Sequence, residues 1–445
     1  MTGLEIGLLS VVALLLLIWA GMHVSVALGL VSLLAIWEVR GRWSVAASAI
    51  AQAALDSIDS YVFGVVPLFV LMGYLVGVSD LGRDAFRLAD RVVGRLRGGL
   101  GVATVGANAA FAAVTGISIA SAAVFTKVAV PEMIRLGYMP RFAVGVVAGS
   151  SVLGMLIPPS LLLILYAVVA EQSVGDMFLA GIGPGLLMAL VFGIYIVLMA
   201  HLRPDSVQPR AAAEAVRLAA AADQRHGRRG NVFAEGAPLF GLILLVLGGI
   251  YGGLFTPTEA GAVGAAGALL VAVGRRRLDL RGFWKVLVDT GHVTASISLL
   301  IIAASLYSRM LALTGVPDAM GALFADAGLG PAGFLVIYVL IAVLLGTILD
   351  SSSILLILVP LAMPVVDGFG MNMVWFGVIT VIAVEVGLLT PPLGLSVFVI
   401  RSSLDDPNIT LGDVFRGALP FAGLMLLVLA IIALVPAIAI APVMW

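Results

Sequence analysis

The chain has 445 residues, 62% of them hydrophobic and 11% charged, with a net charge of −1. Soluble domains carry about 25% charged residues, so this composition points to an integral membrane protein and supplies no bulk field for nucleic acid. Cysteine is absent, which excludes disulfides, thiol catalysis and thiolate metal sites.

The first apolar run, near residues 4–20, lacks a basic flank and a clear small-residue cleavage site, and reads as a span. Further apolar segments follow near 22–37, 61–79, 142–165 and 178–200. A second set lies near 236–255, 258–274, 288–312, 374–396 and 415–438. Runs such as 11–19 do not alternate, so helices rather than barrel strands are expected. The moderately polar segment 43–60, with Asp56 and Asp59, suits an interfacial position. Segment 207–230 is rich in Ala and Arg and reads as a cytoplasmic linker with some surface-helix character.

Between the third and fourth segments of each set lies a longer apolar stretch, 101–131 and 334–364. Each has a polar middle: Thr115-Gly116-Ile117-Ser118 and Asp350-Ser351-Ser352-Ser353. Such a stretch can be one tilted helix. It can also be a re-entrant hairpin whose tip is surrounded by protein or lines a water-filled cavity.

The chain repeats itself at one spacing. Gly154-Met155-Leu156-Ile157-Pro158-Pro159 recurs as Gly387-Leu388-Leu389-Thr390-Pro391-Pro392, 233 residues on (391 − 158). Pro131 and Pro364, Gly82 and Gly315, and Ser118 and Ser351 keep the same spacing. Broken helices at matching positions of two halves point to a secondary transporter's binding site.

Charge bias sets the topology. Basic residues cluster in 80–97, in 201–235 and at Arg275-Arg276-Arg277, whereas 171–176, 315–331 and 364–373 carry no Lys or Arg. Basic loops stay cytoplasmic. The pattern closes if 101–131 enters and leaves from the cytoplasm and 334–364 from outside; Arg40 and Arg42 then lie outside against the trend. The expected fold is an all-α polytopic membrane protein with an inverted repeat of about five spans plus one re-entrant hairpin per half. Residues 1–200 form the first repeat, with its broken helix at 154–160. Residues 201–235 form a cytoplasmic linker, and 236–445 the second repeat, with its broken helix at 387–394. Both termini are external.

The candidate site follows from these breaks. Thr115, Gly116, Ser118 and Ser121 line the first tip; Asp350, Ser351, Ser352 and Ser353 line the second. Hydroxyls and freed carbonyls are hard ligands that suit Na⁺, and a half-helix N-terminus suits a carboxylate. The same small polar residues also serve to pack helices. Asp350 either ligates a cation or caps the helix that follows. Proline removes a donor, so Pro158, Pro159, Pro391 and Pro392 release carbonyls at Gly154 and Gly387 beside Ser160 and Thr390, or merely kink their helices. Glu259, after Thr256-Pro257-Thr258, suits either a helix-dipole contact or coupling. Glu385 suits ion coupling or a scaffold ion pair, with Lys127 or Arg309 as partner; Lys127 alternatively snorkels. Four isolated histidines form no metal motif, and neither a nucleophile elbow nor an ATP loop is present. The energy source is then an ion gradient.

As a set, these motifs resemble the large membrane subunit of TRAP transporters, the tripartite ATP-independent periplasmic transporters. The resemblance rests on 66–73 (Val66-Pro67-Leu68-Phe69 onward), Pro131-Glu132-Met133, Leu156-Ile157-Pro158-Pro159-Ser160 and Ala180-Gly181-Ile182-Gly183-Pro184-Gly185. In the second half it rests on Gly249-Ile250-Tyr251-Gly252-Gly253, Phe255-Thr256-Pro257-Thr258-Glu259 and Glu385-Val386-Gly387-Leu388-Leu389-Thr390-Pro391-Pro392. It implies an elevator-type, multi-pass carrier of the bacterial inner membrane with Na⁺ as coupling ion and no organic cofactor. It also implies a small four-span membrane subunit and a periplasmic binding protein as partners. The substrate is then an organic acid such as a C4-dicarboxylate or a sugar acid. Three positions depart from the family pattern: Ile117 replaces a serine at the first tip, Ser351 stands where proline often follows the aspartate, and Ala383 replaces a common asparagine. A self-sufficient anion carrier is the alternative within transport. An intramembrane enzyme using Asp350 and Glu385 is the alternative outside it, and it lacks a nucleophile or metal motif.

Overall fold

The computed structural model describes every residue except Ser60, Arg95, 210–231 and Trp445. Most of the expected linker, 207–230, therefore lies outside the described residues. Those described form helices and connecting turns, with no strand among them.

α1 (Gly3–Trp19) starts on a Thr2/Glu5 capping box, which satisfies two orphan donors reciprocally. α2 (Val24–Arg40) stops at Gly41. The polar segment becomes α3 (Trp43–Asp59), packed on α2. α4 (Val65–Val78) turns by 66° into α5 (Leu81–Val93). α5 lies in the stretch expected as a basic loop. It buries Leu81, Ala85 and Phe86 and exposes Arg83, Arg87 and Arg91. That two-sidedness is what makes it a helix.

α6 (Gly99–Thr115) and α7 (Ser118–Arg135) meet at Gly116-Ile117. α8 (Pro140–Ser151) runs through a further turn, Leu153–Leu156, to the first proline pair; α9 (Leu161–Val169) leaves it bent by 41°. α10 (Val174–Leu202) closes the first half.

The second half contains α11 (Val232–Ile243), α12 (Pro257–Gly274) and α13 (Leu280–Thr314). α13 begins eight residues before the expected 288 because Asp279 caps it through Gly282 N. α14 (Val316–Asp326) occupies the stretch 315–331 that carries no Lys or Arg. α15 (Pro331–Gly346) and α16 (Ser351–Gly368) form the second tip. α17 (Met373–Leu388) and α18 (Leu395–Ser403) flank the second proline pair, and α19 (Leu411–Leu434) follows.

Among the described residues, α10, α12, α13, α16 and α19 can each cross a membrane alone by length and composition, and the bent pairs α4/α5 and α8/α9 raise the number to as many as seven. The expected hairpins are too short as drawn. Their arms run over 99–135 and 331–368, because Pro131 and Pro364 lie inside α7 and α16 rather than ending them. Neighbouring helices can hold such interior prolines in a membrane bundle.

The spacing of 233 reappears in the helices themselves. α7 and α16 both have 18 residues and start at Ser118 and Ser351; α8 and α17 start at Pro140 and Met373. α9 and α18 both have nine residues. The halves interlock: α9 of the first half packs on α16 of the second, and α18 of the second on α7 of the first. Ion pairs from Asp84 to Arg275 and from Asp80 to Arg277 (2.9 Å) bring two of the basic clusters to one end of the bundle.

With no native cysteine, the charge-derived topology can be read by single thiols. Gln172→Cys and Gly328→Cys are expected to react with an impermeant maleimide in intact cells, and Arg203→Cys and Arg276→Cys only after permeabilisation. Equal labelling of all four in intact cells contradicts that topology.

Candidate functional site at the two helix tips

Each proline pair disturbs its helix in a way the backbone must repair. Pro158 and Pro159 cannot donate to the carbonyls of Gly154 and Met155, their i−4 acceptors. The Ser160 hydroxyl donates to the Met155 carbonyl instead, and Ser160 Oγ accepts from Leu163 N at 3.3 Å, capping α9. In the second half the Gly387 carbonyl loses Pro391 as a donor and accepts from Thr390 N at 2.9 Å. The Gly387 carbonyl, expected to be available to an ion, is thus partly engaged by its own backbone. Both Pro158-Pro159 and Pro391-Pro392 are cis peptides.

Each break is pinned to its own hairpin tip. Leu161 N donates to the Gly116 carbonyl at 3.0 Å, and Gly394 N to the Thr347 carbonyl at 3.2 Å. The two donors occupy repeat-related positions (394 − 161 = 233). Glycine permits this approach. A Cβ on Gly154 would lie 3.1 Å from the Ile117 carbonyl carbon and Ser118 N; one on Gly387 would lie 2.5 Å from Gly346 Cα. Gly116 itself has φ +66°, and a Cβ there would meet the Pro159 carbonyl oxygen at 2.5 Å.

The hydroxyls divide into two groups. Thr115 Oγ1 donates to the Phe111 carbonyl at 2.9 Å, and Thr390 Oγ1 to the Val386 carbonyl at 2.8 Å. Their protons are spent on their own helices, which leaves oxygen lone pairs for a cation. Ser118 and Ser121 are fully buried, and neither hydroxyl has a partner. Asp350 acts as an N-cap: Oδ1 accepts from Ser353 N at 3.1 Å and Oδ2 from the Ser353 hydroxyl. Of its two expected roles, the capping one is visible. Ser352 is half-buried beside it.

Glu385 joins the tips. It is 1% exposed, and its Oε1 accepts from Ser351 Oγ at 3.0 Å. Ser118 stands beside the same carboxylate, although Ser118 Oγ and Glu385 Oε2 complete no hydrogen bond. The basic partners expected for Glu385 are elsewhere. Arg309 pairs with Asp56 at 2.5 Å, and Lys127 is exposed on α7. Glu259 is also exposed and completes a capping box with Thr256, so it lies apart from the tips. Sequence reasoning missed Asn108, whose Nδ2 donates to Ser150 Oγ at 2.6 Å in the core. Its signal was available: it is a lone amide two helical turns before Thr115, on the same face.

The profile of the tripartite ATP-independent periplasmic transporter DctM component matches residues 11–438. The chain belongs to the DctM family of TRAP transporters. The C4-dicarboxylate large permease DctM of Pseudomonas aeruginosa is 34% identical over 88% of each chain. The sialic acid large permease SiaM of Vibrio cholerae is 31% identical over 87% of each. The isethionate permease DctMQ of Oleidesulfovibrio alaskensis is 30% identical; the match takes in 94% of this chain and 63% of that one. Among solved structures, the Alcanivorax borkumensis YdaH transporter superposes with a TM-score of 0.54 at 16% identity, covering 85% of this chain and 87% of that one. The shared fold is that of a helical multi-span transporter, and this DctM-family chain is a permease subunit rather than an enzyme.

The tip geometry sets a graded expectation. Gly116→Ala combines left-handed backbone strain, about 1–2 kcal/mol, with a clash against Pro159. Gly370→Ala, at φ +64° with nothing within 4 Å of its added carbon, carries the strain alone. Thermal melts of the purified protein should fall further for Gly116→Ala, and equal losses would contradict the pinning of the tip.

Proposed function

We propose that this chain is the permease of a Na⁺-coupled uptake system for an organic carboxylate. The observation that carries the proposal is the charge of the site. Segments 115–121, 154–160, 347–353 and 385–394 contain Asp350 and Glu385 and no Lys, Arg or His. A carboxylate arriving there meets two acidic side chains and no basic one. At about 6 Å and an effective dielectric near 20, it and one ionised acid repel by about 3 kcal/mol. The N-termini of α7 and α16 offer roughly half a positive charge each, and co-bound cations supply the remainder. The lone pairs on Thr115 and Thr390, with the open carbonyl positions at Gly154 and Gly387, are oxygen ligands of the kind a hard monovalent cation takes.

The unequal exposure of the two proline pairs supports alternating access. Pro158 and Pro159 are buried, whereas Pro391 and Pro392 are exposed. In an inverted repeat, one break would open as the other closes, with the tips and breaks travelling as an elevator. The partners are a small membrane subunit and a periplasmic binding protein, in a bacterial inner membrane. The longer DctMQ relative supports the first of these, since over a third of its length lies outside the match. Relatives named for C4-dicarboxylates and sialic acid support a carboxylate as cargo.

Proteoliposomes holding the chain with its small subunit, supplied with binding protein and succinate or sialic acid, test this reading. Accumulation is expected under an inward Na⁺ gradient and should collapse when choline replaces Na⁺. Uptake undiminished in choline contradicts the coupling.

A further inference from the structure

We infer that Glu385, Ser118, Ser121 and Ser351 form a cation site between the two repeats, built from tip serines of both halves on one carboxylate rather than from the tip and break of a single half. This inference rests on the coupling reading above. Within the repeat the carboxylate is singular: position 152, its counterpart at 385 − 233, is Val152. The serines are not singular, since Ser118 and Ser351 are counterparts and both reach Glu385. One carboxylate therefore stands where the two halves meet and is shared by the first residue of each second hairpin arm.

The oxygen inventory fits a hard cation. Glu385 Oε2, Ser118 Oγ and Ser121 Oγ are buried with no hydrogen-bond partner. Ser121 lies one turn along the same face of α7 as Ser118. Ser351 Oγ spends its proton on Glu385 Oε1 and keeps its lone pairs. That gives two carboxylate and three hydroxyl oxygens with no nitrogen or sulfur among them, a set that selects hard metal ions over soft ones. Buried polar atoms are ordinarily paired; here one carboxylate oxygen of Glu385, the hydroxyl of Ser118 beside it and the Ser121 hydroxyl one turn along α7 are not. Chelation by at least four side chains would explain all three at once. It would also make the site responsive to both hairpins, because withdrawal of either tip removes a serine ligand.

Two measurements test the site. In the first, purified protein is titrated with NaCl at constant ionic strength in choline, and the half-saturating Na⁺ for thermal stabilisation is read. In the second, Na⁺ and substrate gradients are opposed in proteoliposomes, and the null-flux condition gives the number of Na⁺ per substrate. Glu385→Gln, nearly isosteric, should raise the half-saturating Na⁺ by about tenfold or more and lower the count by one. Ser121→Ala removes a hydroxyl with no hydrogen bond to lose, so it should fold normally and still raise the half-saturating Na⁺. A Na⁺-dependent wild type whose midpoint and count are unchanged in both variants overturns the Glu385 site and leaves the coupling reading intact. If Glu385→Gln does not fold, an unshifted midpoint in Ser121→Ala alone overturns it. A wild type indifferent to Na⁺ in both measurements overturns the coupling reading and this site together.

Discussion

Two backbone hydrogen bonds carry the architecture of the site: Leu161 N to the Gly116 carbonyl and Gly394 N to the Thr347 carbonyl. Both exist because the prolines break their helices. Each helix restarts beyond its proline pair with N–H groups that have no intrahelical acceptor, and buried backbone polar groups are costly unless paired. The chain meets that constraint by bringing each break against a hairpin tip, where glycine lets the backbones touch. Tip and break then behave as one unit in each half, and the binding chemistry is assembled from both.

The interlock of the halves follows from the same arrangement. α9 packs on α16, and α18 on α7, so each break is held by the other half's hairpin as well as by its own. Glu385, on the helix that leads into the second break, crosses the same boundary: it accepts from Ser351 of one tip and has Ser118 of the other beside it.

Much of this was legible in the residues. The spacing of 233 located both breaks and both tips, because a fixed offset between prolines survives any uncertainty in helix ends. Boundaries were less legible. Pro131 and Pro364 read as hairpin limits, yet both lie within longer helices, since an interior proline costs a helix one bond that surrounding helices can tolerate. Basic charge hid α5, which the positive-inside pattern treats as loop although its apolar face is buried. The residues alone fit Asp350 as ligand or as cap; its bonds to Ser353 make the cap visible, a contact that spacing cannot report. Glu385 was legible as a buried acid, but its bond to Ser351 and its nearness to Ser118 were not. Those contacts cross 34 residues in one direction and 267 (385 − 118) in the other, and neither helical period nor repeat offset reports them.

An anion is expected to enter a site lined by acids and no bases only in company with cations. Linkage is reciprocal: whatever factor Na⁺ contributes to carboxylate binding, the carboxylate contributes to Na⁺ binding. Equilibrium binding of radioactive Na⁺ to the purified protein, with and without succinate or sialic acid, measures the coupling without any flux. The carboxylate is expected to tighten Na⁺ binding, and Na⁺ to tighten carboxylate binding, by the same factor. Identical Na⁺ binding in the presence and absence of the carboxylate would contradict it.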